Sequence, residues 1–152
     1  MDNADAPVLG AILDAISSLV FLVDSDVRVQ SVNRAARSHL GKDLVNFLRD
    51  RMGEILICIH STDAPGGCGR SHVCQDCVVR NCVNQVVAGA EVVHDRGALC
   101  LQIGGKVQQL NFSVTAAGLH FEGRKMIVLI LEHIKEEAKT IREPVPCASQ
   151  LN

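Results

Sequence analysis

The chain has 152 residues, 47% of them hydrophobic and 21% charged, with a formal net charge of −2. This is the length of one domain, and the apolar fraction is enough for a core that needs no disulfide staples. The near-neutral balance leaves no electrostatic footprint for nucleic acid or an anionic membrane, and four Phe with no Tyr and no Trp offer few surfaces on which bases could stack.

The start, Met1 to Pro7, is acidic and lacks the basic region of a secretory signal; it reads as a flexible N-terminus. The longest apolar runs, Leu19–Val23 and Met126–Leu131, are far shorter than the roughly 20 residues of a membrane span. A cytoplasmic chain with reduced thiols is therefore expected.

Leu9, Ile12, Leu13 and Ile16 share one face of a helix predicted over Val8–Ile16, with Pro7 at its start. Leu19–Asp24 is short, apolar and β-branched, and reads as a buried strand. After a Ser25-Asp26 turn, Val27–Val32 alternates apolar and polar residues like a half-buried antiparallel strand. Asn33 suits an N-cap and Gly41 a C-terminal stop for a short helix between them. Leu44–Leu56 carries a helical pattern broken by Gly53, and Cys74–Val87 carries another with Val78, Cys82, Val83 and Val86 on one face. Three strands follow, Glu91–Ile103, Val107–Ala116 and His120–His133, with turns at Gly104-Gly105 and at Gly118 with Gly123 nearby. Ile134–Arg142 reads as a charged exit helix and the rest as a disordered tail. A hairpin and a three-strand meander joined into one sheet, with helices over one face, is an α+β architecture. The domain spans 8–134, and 135–152 holds the exit helix and tail.

Between Cys58 and Cys82 lie five of the seven cysteines. In a reducing compartment such crowding points to metal binding or thiol redox work rather than to structural disulfides. Cys74-x2-Cys77 lets two thiolates grip one ion from a single turn, Cys68 sits in a glycine-rich loop, and Cys58 closes the set. Four thiolates suit tetrahedral zinc or an iron–sulfur cluster equally. The ten-residue step from Cys58 to Cys68 matches no standard finger or ferredoxin spacing. A redox dithiol without metal, and separate packed thiols, are the other readings. Cys82 and Cys100 are read as core and Cys147 as incidental. His60 and His72 flank the loop and could replace one thiolate; His94, His120 and His133 fall in strands. Arg80 is read first as a surface ion pair and second as a stabiliser of thiolate charge. Nothing in the chain resembles a phosphate-cradling loop, a Ser-His-Asp set or a distinctive carboxylate pair, so no enzyme is expected.

The order of landmarks resembles a PAS domain. The residues that carry the resemblance are Ile12–Ile16, Val20–Asp24, Arg28–Ala36, Leu40-Gly41, and a strand at Lys125–Glu132 running into a charged helix. It implies a PAS-like five-stranded antiparallel sheet with helices on one face and, here, a cysteine-rich insertion loop. It further implies a sensory module that dimerises and signals to a partner such as a histidine kinase or a transcriptional regulator of a two-component system. Gly53-Glu54…Cys58, Gly67-Cys68-Gly69 and Cys74…Cys77…Arg80 resemble a subset of bacterial sensory PAS domains. Some sensor PAS domains hold Fe–S clusters through four cysteines, which puts iron ahead of a structural zinc at Cys58, Cys68, Cys74 and Cys77. The Asn-Cys-Arg-Phe helix of light-sensing flavin domains is absent.

Overall fold

The computed structural model describes residues 6–40, 49–121 and 123–135. Its elements run α1 (Ala6–Ala15), β1 (Leu19–Val23), β2 (Val29–Val32), α2 (Arg34–Leu40), α3 (Met52–Ile55), two 3-10 turns (Ile59–Thr62 and His72–Asp76), α4 (Val78–Val87), β3 (Val92–Ile103), β4 (Lys106–Phe121) and β5 (Arg124–Ile134). The five strands form one antiparallel sheet in the order β2-β1-β5-β4-β3. The expected α+β sheet of five strands is therefore present. The apolar run Met126–Leu131 is central, as its composition required: β5 pairs with β1 on one side and β4 on the other.

Period-two patterning places the core. Phe112, Val114 and Ala116 alternate along β4 and are buried, as are Leu129 and Leu131 on β5 and Phe21 and Val23 on β1. Over this face lies α4, turning Val79, Cys82, Val83 and Val86 inward, and α2 adds Ala36. Gly97 on β3 lets α4 come close, because a Cβ there would stand 2.7 Å from Val78 Cβ.

Asn33 ties the N-terminal elements together. Its side chain is buried and accepts from the amides of Val20 and Ala36, and it donates to the carbonyls of Leu13, Ile16 and Ser18. The expected N-cap of α2 is thus also the clasp between α1 and β1.

Several expectations are corrected. The turn placed at Gly118 lies elsewhere: Gly118 is inside β4, paired with Ile127, and Gly123, with φ of 75°, stands where the chain turns. The helix expected from Cys74 begins only at Val78, because the chain first makes a 3-10 turn over His72–Asp76 and leaves it extended at Cys77. Within the Leu44–Leu56 pattern, Gly53 lies inside the short α3 rather than breaking it; residues 44–48 lie outside the described residues, as does Gly41. Ile134 is the last residue of β5, not the first of a helix. Lys135 after it is not helical either, and residues 136–152, with the rest of the expected exit helix, the tail and Cys147, lie outside the described residues. On α1 the apolar stripe is exposed: Val8 at 57%, Leu9 at 39%, Ile12 at 54% and Leu13 at 40%.

Candidate metal centre

Cys58, Cys68, Cys74 and Cys77 line one cavity of about 940 Å3, between the cysteine loop, the start of α4 and strand β3. Each is partly buried. Cys58 follows α3, and its amide donates to Gly53 O at 2.7 Å. It also bridges to Leu101 on β3, and the neighbouring Ile57 carbonyl accepts from Gln102 N at 2.9 Å. Ile57 has φ of 59°, a conformation that β-branched residues rarely adopt. Val27, with φ of 62°, lines the same cavity. The backbone is thus strained on both sides of the thiols, a pattern common at binding sites.

Cys68 sits between two glycines of positive φ, Gly67 at 84° and Gly69 at 88°. Both are needed for space as well as conformation. A Cβ on Gly69 would overlap the Arg80 guanidinium, and one on Gly67 would meet Glu54 Oε1. Cys68 packs against α3 so closely that a Cβ on Gly53 would stand 2.7 Å from its Sγ. Cys74 lies in the second 3-10 turn, capped by Ser71, whose hydroxyl accepts from Val73 N. Cys77 is the N-cap of α4.

Among the described residues, no three His, Cys, Asp or Glu side chains converge closely enough to grip one ion. The four thiols surround a space instead of meeting at a point. Cys82, the fifth cysteine of the crowd, is fully buried in the core, as expected. Cys100 is buried on β3 and also lines the cavity. Burial pushes the Cys58 thiol up to about 11 and raises Cys77 too, the latter against the opposing pull of the Arg80 and Val79 amides.

Arg80 departs from its expected surface role. Its side chain is 12% exposed. It donates to Asp26 Oδ1 at 3.1 Å and Cys68 O at 3.3 Å, and it stands 3.7 Å from Cys68 Sγ. Asp26, read from sequence only as a turn residue, is the hub of this region. Arg51 reaches it at 2.9 Å and Arg70 at 3.3 Å, with Arg28 at 3.8 Å. Arg51 also donates to Gly66 O at 2.9 Å. Four guanidinium groups against two carboxylates, Asp26 and Glu54, the latter 3.8 Å from Arg51, leave positive charge beside the thiols, the complement of a thiolate-rich site. Burial works to raise the Asp26 pKa, but hydrogen bonds from Arg51 and Arg80 outweigh it and hold the carboxyl below its ordinary value. The sequence signal for Arg80 was its position one turn after Cys77. For Arg51 and Asp26 there was none, since they lie 25 residues apart.

Of the histidines, His60 and His94 line the cavity, whereas His72, His120 and His133 do not. His133 instead lies against Phe112, with ring centroids 5.6 Å apart.

The family model described as PAS domain matches residues 9–72. No curated protein sequence matches the chain. Among solved structures, the PAS domain of nitrogen regulation protein NR(II) from Vibrio parahaemolyticus is 12% identical, with a TM-score of 0.58 over 84% of this chain and 98% of that one. The PAS domain of an HTR-like protein from Haloarcula marismortui is 13% identical, with a TM-score of 0.55 over 88% of this chain and all of the other. A PAS domain from a two-component sensor histidine kinase is 7% identical, with a TM-score of 0.57 and the same coverage. Among the described residues no helix is long and apolar enough to cross a membrane. The strand order, the helices over one face and these likenesses agree that the chain has the fold of a PAS domain.

Proposed function

We propose that this chain is a non-catalytic sensory and regulatory PAS module, of the subset with a Gly-Gly-Cys-Gly loop, whose thiol-lined cavity holds a metal centre and reports redox state or oxygen. The observation that carries this reading is the meeting of Cys58, Cys68, Cys74 and Cys77 around one cavity with Arg80 against Cys68 Sγ. A thiolate-bound centre is anionic, and the arginines about Asp26 offset that charge.

The arrangement favours an iron–sulfur cluster over one structural zinc. Four Zn–S bonds of about 2.3 Å require sulfurs within roughly 4 Å of one another, and no three such ligands are gathered that tightly among the described residues. A cluster spreads its four thiolates around a larger body. A bound cluster would supply one-electron redox chemistry and sensitivity to oxygen.

The residues around the cavity supply the route outward. Arg80 holds the Cys68 carbonyl and Asp26 at once, and Arg51 holds Gly66 and Asp26. A change at Cys68 therefore reaches the β1–β2 turn through two buried guanidinium groups. The structural neighbours include PAS domains of a nitrogen regulation protein and a sensor histidine kinase, which supports a histidine kinase or transcriptional regulator as the partner. The exposed stripe on α1 supports a homodimer.

Anaerobic purification followed by iron, sulfide and zinc analysis and a visible spectrum tests this reading. Iron with sulfide and charge-transfer absorbance is expected, lost on alanine substitution at Cys58, Cys68, Cys74 or Cys77 and retained in Cys82→Ala. Metal content indifferent to all four substitutions would overturn the site.

A further inference from the structure

Two of the cavity's cysteines meet over a glycine that puts nothing between them. A Cβ on Gly53 would stand 2.7 Å from Cys68 Sγ, 2.9 Å from Cys68 Cβ and 3.6 Å from Cys58 Cβ. A disulfide needs Cβ atoms roughly 3.8 Å apart, and these distances leave Cys58 and Cys68 within about 3 Å of that separation, whatever the angle between them. A small loop movement over the bare Gly53 Cα closes the gap.

The two cysteines are unequally held. Cys58 is fixed, because its amide donates to Gly53 O at 2.7 Å and its backbone bridges to Leu101 on β3. Cys68 lies between Gly67 and Gly69, both of positive φ, and glycines on either side let the backbone re-aim a side chain at low steric cost. The Arg80 guanidinium stands 3.7 Å from Cys68 Sγ. A thiolate at Cys68 therefore has a cationic partner, which marks it as the attacking sulfur.

We propose that Cys58 and Cys68 are a dithiol–disulfide pair, oxidised by a low-molecular-weight disulfide. The Cys68 thiolate attacks one sulfur of the reagent and expels the other as a thiolate, leaving a mixed disulfide on Cys68. Cys58 gives its proton to solvent, attacks the Cys68 sulfur and expels the second reagent thiolate. The chain loses two protons and two electrons, and the reagent is reduced to two thiols. The new bond joins the edge of β3 to the loop that Arg80 ties to Asp26, since Arg80 donates to the Cys68 carbonyl and to Asp26 alike. This inference rests on the proposed reading of the cavity as a redox site and supplies its regulation: the disulfide withdraws two of the four proposed cluster ligands. It needs no bound metal to form.

The test starts from the full chain, anaerobically reduced and freed of metal with a chelator, then equilibrated with glutathione buffers of rising disulfide content. Free thiols are alkylated and the chain is cut after Arg and Lys, so that Cys58 and Cys68 share the fragment 52–70, while Cys74 and Cys77 share 71–80. The expected product is fragment 52–70 without alkyl groups and lighter than its dithiol by one pair of hydrogens, with Cys74, Cys77 and Cys82 still alkylated. Cys58→Ser is expected to stop at the Cys68–glutathione mixed disulfide. Gly53→Ala, which fills the gap, is expected to need about 10-fold more oxidant for half-conversion. Circular dichroism confirms that each variant keeps its strand content. A disulfide within 71–80 instead, or full alkylation of 52–70 at every ratio, overturns the pair and leaves the cluster to iron and sulfide analysis. A Cys58–Cys68 bond in protein that holds no iron when purified anaerobically sustains the pair and removes the cluster.

Discussion

Asn33 shows how much one side chain can hold. Its amide oxygen caps α2 and binds Val20 N, while its nitrogen reaches three carbonyls at the end of α1 and the start of β1. Alanine there strands several buried backbone groups at once, so Asn33→Ala should destabilise the fold by about 2–4 kcal/mol, read from urea unfolding. Gly53 is the corresponding residue of the proposed metal centre. Any Cβ at this position meets Cys68 Sγ and Cβ inside 3 Å, and Cys68, itself between two conformationally special glycines, has little room to move away. Gly53→Ala should lower the iron and sulfide content of anaerobically purified protein by about 10-fold or more while leaving the sheet intact. Iron and sulfide analysis and circular dichroism on the same sample check both halves of that expectation.

Among elements, the β1–β2 turn and α4 do most to shape the site. The turn presents Asp26 to arginines from three different segments, and α4 delivers Cys77 at its N-cap and Arg80 one turn later. Because the Asp26 pKa is lowered in the folded chain from 3.8, its contribution to stability is present above that value. It is lost as pH falls through 3.8 and toward the depressed folded value. Asp26→Asn should therefore be less stable than the parent at pH 7, and the difference should shrink as pH falls below about 4. Urea midpoints of both proteins between pH 7 and pH 3 measure this, and a constant gap across the range would show that the ion pairs are not its source. In the middle of α4, Cys82 packs with Val83 and Val86 against the sheet, which separates a core thiol from its chemically identical neighbours in the cavity.

For the molecule as a whole, the hydrophobic core and the thiol cavity share one wall, formed by Val27, Met52, Val78, Val79, Leu99 and Leu101, but the centre of the core lies away from the thiols. The core is built by all five strands with α2, α3 and α4, and its largest buried side chains are Phe21, Ile127, Leu129 and Leu131. None of these lines the cavity. If the proposed centre is loaded, removing its metal with a chelator should leave the strand signal of circular dichroism in place. The unfolding temperature should fall by the amount that ligand linkage demands, rising again with added metal. Complete unfolding on chelation would mean that the metal centre, rather than the apolar core, holds the fold.

The sequence by itself determined the sheet. Alternation on β2 and β4, the unbroken apolar run of β5 and the capping Asn33 are local patterns whose physics acts within a few residues. The cysteine crowd was legible for the same reason, as was Cys82 by its place on the apolar face of α4. Only tertiary structure decided which thiols share a cavity, that Arg80 and Arg51 meet at Asp26, and that His60, not His72, stands beside the cysteines. Those contacts span up to 54 residues of chain, and no local periodicity encodes them. Even the misplaced turn at Gly118 follows this rule. A glycine reads as a turn when seen alone, but β4 carries this one through in register with Ile127 and against Val86 of α4.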